Sequence, residues 1–197
     1  MYMPRILILF AHPMVEKSRV QRALLEAASS VDGVTIQDLY EQYPDFDIDI
    51  RREQELLSEH DVVILQHPFY WYSCPALMKQ WIDLVLEHGW AYGRQGKALE
   101  GKKMGNVISM GGSADAYSTS GLNRHAVREF LIPFEQTALL CKMDYLPPFV
   151  VHGTHRATED DIRRNAEAYV SVLKSLRDGR VSDDALRNVQ LLNDVAP

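Results

Sequence analysis

Arg5-Ile-Leu-Ile-Leu-Phe10, running on into Ala11-His-Pro-Met-Val-Glu-Lys-Ser18, is the stretch that decides how this chain folds. An unbroken apolar run of β-forming residues is the pattern of a strand covered on both faces, as in a parallel sheet. Ser18 suits the cap of a helix, and Val20, Leu24, Leu25 and Ala28 recur behind it at helical spacing. Strand, loop and helix in this order make a βα unit. The loop holds no glycine. Both the GxGxxG dinucleotide turn and the GxxxxGK[ST] phosphate loop need glycine so that backbone can approach phosphate, and both are therefore excluded. What remains is a hydroxyl, helix-end N–H groups and His12, a set suited to one phosphomonoester. A plainer reading stands beside it, in which Ser18 only caps the helix and His12 satisfies a loop carbonyl.

Outward from this unit the pattern repeats. Strands are predicted over 33–38, 61–67, 103–109 and 145–151. Between them the spacing predicts a short polar helix over 51–58 and a helix opened by Pro75 that continues toward Gly89. A helical region over 123–140, which Pro133 breaks or restarts, and a last helix over 159–176 complete the series. Strands alternating with helices predict an α/β domain over 1–176, an open five-stranded parallel sheet with helices on both faces. Five strands favour the flavodoxin-like order, in which ligands sit beyond the carboxyl ends of the strands. Residues 177–197 read as a tail, either a short helix capped by Ser182 that docks on a partner subunit or a frayed end.

Composition narrows the function. The 197 residues carry a net charge of −6 with no Lys/Arg cluster, which argues against a nucleic-acid partner. No apolar run approaches the roughly 20 residues that span a bilayer, and the first residues lack a signal-peptide layout. A cytoplasmic location is expected, either free or peripheral at the inner face of the membrane. Cys74 and Cys141 stand alone, so neither a disulfide framework nor a zinc site is suggested. His152 and His155 have no third ligand near in sequence and read as structural, and no metal is expected. Asp45, Asp47 and Asp49 lack the glycine and closing Glu of a calcium loop and read as a solvated or partner-facing segment.

Two further loops leave the predicted carboxyl edge. His67-Pro-Phe-Tyr-Trp-Tyr-Ser-Cys-Pro75 holds four consecutive aromatics, Phe69 to Tyr72, which suit a large flat ring; packing on the core or a neighbouring subunit is the alternative. Ser109-Met-Gly-Gly112 follows the fourth strand, and Gly111 and Gly112 permit backbone to approach a ring edge, although Gly-Gly alone is often only a turn.

Together these loops resemble the NAD(P)H:quinone oxidoreductases of flavodoxin-like fold over about 5–155. Within that family the chain is similar to the ancillary regulators of the bacterial glutathione-gated potassium efflux (Kef) systems. The matching strings are Leu9 to Pro13, Asp38 to Tyr40, Tyr43 to Asp49, Gln66 to Pro75 and His88 to Gly93. The resemblance implies FMN, with FAD as the alternative, and NADH or NADPH as donor. Implied cofactor contacts are His12, Ser18, Arg19, Val20, Gln21, Phe69, Tyr70, Trp71, Tyr72, Ser109, Met110, Gly111 and Gly112. It also implies a Tyr and a His facing the flavin. Tyr117 matches the Tyr, whereas Asn123 stands at the His position and cannot carry a full positive charge. A quinone-like acceptor and a homodimer follow from the same resemblance. The competing expectation is a regulatory subunit that activates a potassium efflux antiporter, and an azoreductase or nitroreductase is a third.

Overall fold

The computed structural model describes residues 3–195. β1 (Ile6–Phe10) pairs with β2 (Val34–Asp38) on one side and β3 (Val62–Pro68) on the other, and β3 pairs with β4 (Lys103–Ser109). Outside β4 lie two short pieces, β5 (Asp144–Tyr145) and β6 (Phe149–Val151), and every pairing is parallel. Parallel neighbours require crossovers, and here helices supply them on both faces.

The strands are apolar throughout because each face has its own core. Ile6, Ile8 and Phe10 point to a layer with Val20 and Leu24 of α1 (Arg19–Ser29) and with Tyr169 and Leu173 of α7 (Glu159–Arg177). Leu7 and Leu9 point to the opposite layer, with α3 (Ile50–Glu59), α4 (Ala76–Val85) and α6 (Ile132–Leu140). Period-two alternation thus survives inside a continuous apolar run. A four-residue helix, α2 (Leu39–Gln42), follows β2 directly because Asp38 Oδ1 accepts from the amides of Tyr40 and Glu41. Asp49 of the acidic stripe caps α3 by accepting from Arg52 N. On α3, buried Glu53 accepts from Gln37 Nε2, Tyr43 Oη and Trp81 Nε1, which satisfies its carboxylate without a cation.

The structure departs from the sequence expectation in the extra helix α2, in the fifth strand and in the helical region after β4. The fifth strand is split, because Pro147 and Pro148 have no N–H to give the ladder. Three steps from Met104 to Val107 face four from Tyr145 to Phe149, so the edge carries one extra residue, a bulge. The helical region expected from Asn123 begins instead at α5 (Val127–Phe130), since Arg124 takes a φ of 58°; Pro133 in the first turn of α6 separates the two helices. The tail forms α8 (Asp183–Asn188), and its described contacts are with its own chain. Leu186 and Leu192 are buried, while the Asn193 side chain accepts from Val150 N (2.8 Å) and donates to Val150 O (3.0 Å).

Candidate functional site: a cleft at the carboxyl edge of the sheet

The loops after β1, β3 and β4 converge on a cleft of about 460 Å³, closed on its far side by the loop after β6. His12, Ser18, Arg19 and Val20 line it from the first loop, Phe69 and Tyr70 from the second, and Ser109, Met110 and Gly111 from the third. Lys17, Thr154 and His155 line it as well. None of these three was a predicted contact. His155 had been set aside as structural, and the available signal was its place a few residues beyond a strand end.

One end of the cleft is built for an anion. Ser18 is extended, its Oγ accepts from Gln21 N (3.2 Å), and the first-turn amides of α1 are left without intrahelical partners. Lys17 adds a cation beside them. The Arg19 guanidinium is engaged elsewhere, with Ala157 O (3.2 Å) and Glu159, tying α1 to the start of α7. His12 Nδ1 accepts from Met14 N (3.1 Å), so the proton of the neutral ring sits on Nε2. Burial lowers the pKa of His12 and keeps it neutral.

The other end is aromatic. Tyr70-Trp-Tyr-Ser73 is a tight turn closed by Ser73 N donating to Tyr70 O (2.9 Å), with Trp71 at φ 48° and Tyr72 at φ 64°. Trp71 is 93% exposed. Tyr72 stacks on Phe130 (5.2 Å) and donates to Asn123 Oδ1 at 3.3 Å. Tyr117 packs edge-on against Phe69 (5.9 Å) and lies 6.1 Å from the His152 ring. Tyr72, Tyr117 and Asn123 therefore form, with Phe130, an aromatic annex that meets the cleft through Phe69 rather than lining it, and Trp71 stands out at the turn tip beside it. The two glycines serve this packing. A Cβ on Gly111 would come within 2.5 Å of the His155 ring, and one on Gly112 within 2.7 Å of Tyr117.

Gln21 is not a wall residue. It is fully buried below the floor, where Nε2 donates to His67 O and Ser109 Oγ. His67 is equally buried, and desolvation pulls its pKa down to about 4.

A family model described as flavodoxin-like fold matches residues 4–173. The glutathione-regulated potassium-efflux system ancillary protein KefG of Pectobacterium carotovorum is 47% identical over 172 residues, covering 87% of this chain and 94% of its own. Among solved structures, general stress protein 14 of Treponema denticola in complex with FMN has a TM-score of 0.84 at 42% identity, covering 88% of this chain and 99% of its own. An NADPH-quinone reductase from P. pentosaceus has a TM-score of 0.77 at 36% identity, covering 85% and 96%. This chain therefore belongs to the family of flavodoxin-like fold, among the relatives of the KefG ancillary proteins and general stress protein 14.

Proposed function

We propose that this chain is an FMN-dependent NAD(P)H:quinone oxidoreductase, passing electrons from NADH or NADPH to a quinone-like or related electrophilic acceptor in two successive steps at one site. The observation that carries this reading is a single cleft joining a capped helix N-terminus with a nearby lysine to an aromatic wall, the two chemistries that the phosphate and the ring of FMN require. One such helix end suits the single phosphate of FMN better than the diphosphate of FAD. FMN, when bound, supplies reversible hydride chemistry. The first-turn amides of α1, Ser18 and Lys17 would hold its phosphate, and Phe69, Tyr70 and the side-chain-free Gly111 would bound its ring. Neutral His12 would offer Nε2–H. Trp71, poised at the turn tip, would cover the ring face, and the Tyr117 hydroxyl would donate to the reduced ring or the acceptor. Asn123 can add a hydrogen bond but no charge there.

A homodimer belongs to the same proposal: Trp71 and Leu122 are 93% and 87% exposed beside the aromatic annex, and a second copy would cover them. Titration with FMN followed by steady-state kinetics across NADH, NADPH and a quinone series tests the enzyme. Saturable flavin binding with quinone-dependent NAD(P)H oxidation is the expected result, and a protein that gains no flavin absorbance sinks the proposal.

The 47% identity to KefG favours a second reading, that of an ancillary subunit activating a glutathione-gated potassium efflux antiporter. Among the described residues no helix is long and apolar enough to cross a membrane, so such a subunit would act from the membrane face. Potassium efflux from vesicles holding the antiporter, measured with and without this protein, decides it.

A further inference from the structure

Beneath the cleft floor lies a series of buried amides and hydroxyls whose hydrogen bonds can run in only one direction. The His67 carbonyl accepts and cannot donate, so the Gln21 amide atom 2.9 Å from it is Nε2. That fixes the whole side chain. The same Nε2 donates to Ser109 Oγ at 2.9 Å, and Gln21 Oε1 is left to accept from Gln66 Nε2 at 3.0 Å. Gln66 Oε1 in turn accepts from the Tyr169 hydroxyl at 3.0 Å. Gln21, Gln66 and Tyr169 are fully buried, so solvent offers none of them a different partner. From Tyr169 outward, each link of the series donates toward the cleft.

The consequence falls on Ser109. A serine hydroxyl carries one proton, and with its oxygen already accepting from Gln21 that proton has to be given elsewhere. Among the described residues no hydrogen bond from Ser109 Oγ to a protein acceptor is formed, and Ser109 lines the cleft. We propose that Gln21 is a positioning residue that turns the Ser109 hydroxyl proton outward, making Ser109 a fixed hydrogen-bond donor to an acceptor atom of the bound ligand. On the FMN reading, on which the ligand's identity rests, that atom is an oxygen or unprotonated nitrogen of the flavin.

A neighbouring branch is polarised the same way. His67 Nδ1 donates to Pro68 O (3.0 Å), so its Nε2 accepts from Asn106 Nδ2 (3.1 Å), and Asn106 Oδ1 accepts from Tyr145 Oη (2.7 Å). Aligned bonds of this kind reinforce one another in a low dielectric. The arrangement also selects: a ligand presenting only a donor at this point would have to use the one remaining lone pair of Ser109 Oγ and would leave the hydroxyl proton unpaired.

The test combines binding with a direct view of the proton. Ser109→Ala and Gln21→Met are each expected to raise the FMN Kd roughly tenfold, and the double variant no further than either alone. Gln21→Glu, whose carboxylate can only accept, is expected to pull the Ser109 proton inward and weaken FMN at least as much. Losses that add in the double variant, or an unchanged Kd in Gln21→Met, overturn the proposal. Neutron diffraction from flavin-free, deuterium-exchanged crystals of the unmodified chain reads the orientation without any ligand or substitution. Density for the Ser109 deuteron directed away from Gln21 supports the assignment, and density directed at Gln21 overturns it. If the unmodified chain takes up no FMN, the proposed function falls while the neutron map still decides the proton's direction.

Discussion

Trp71 and Tyr72 adopt a backbone conformation that L-residues other than Asn avoid, because Cβ crowds the following carbonyl. Two successive positive φ values define the tight turn that nature usually gives to Asn-Gly. Strain of this kind is retained where it positions a side chain for function. Trp71→Asn is therefore expected to raise stability by roughly 1 kcal/mol, since the exposed indole gives up no packing, while weakening FMN binding. Urea denaturation and flavin titration of the same variant check the two halves. The aromatic string was legible as a candidate binding segment from its composition alone. Its division into wall residues (Phe69, Tyr70), an exposed tip (Trp71) and an annex residue (Tyr72) was not, because that depends on the sign of two φ angles. Gln21, expected as a ligand contact, spends its side-chain amide on the ends of two strands, which helical spacing does not reveal. His67 makes a pH prediction. Its pKa in the fold, about 4, lies below its ordinary 6.5, so the unfolded chain takes up a proton first as pH falls. Stability present above pH 6.5 is lost on the way down toward pH 4, by about 2 kcal/mol between pH 7.5 and pH 5 from this residue. Burial shifts His12, His60 and His152 the same way and steepens the decline. Urea denaturation across this range should show a shallower slope for His67→Gln.

At the level of elements, the anion end of the cleft rests on one cap. Ser18→Ala is expected to cost about 1 kcal/mol of stability by freeing the Gln21 amide. It should also weaken FMN while leaving riboflavin, which has no phosphate, bound as before; calorimetric titration of both ligands separates the effects. Most elements were legible because strand and helix periodicities differ and because Ser18 and Pro75 punctuate them. The failures share a cause. Pro147 and Pro148 lie inside the stretch expected as one fifth strand, 145–151; the break and bulge there, and with them the reach of Thr154 and His155 to the cleft, depend on pairing with β4 that local sequence does not display. Helix α2, four residues long, rests on a single Asp side chain accepting from two amides, too small a signal for any periodicity.

For the whole molecule, the sheet's two cores are separate, and the tail touches both: Leu186 and Leu192 lie in the one shared by α1 and α7, while Leu191 packs against the other. Removing residues 180–197 uncovers apolar side chains packed against Leu186 and Leu192 and strips Val150 of both its outward hydrogen bonds. A loss of several kcal/mol is expected, with Asn193→Ala alone accounting for about 1–3 kcal/mol. Urea denaturation of both variants measures this, and an unchanged midpoint for the truncation would show the tail to be passive. The Asn193 amide has a meaning beyond stability. Its oxygen and nitrogen occupy the N–H and C=O of Val150 as a neighbouring strand would, so one side chain closes the rim of the sheet. An open rim is a template on which strands of other molecules add and polymerise. By presenting an amide there instead of a backbone, the chain blunts this edge against fibrous self-association.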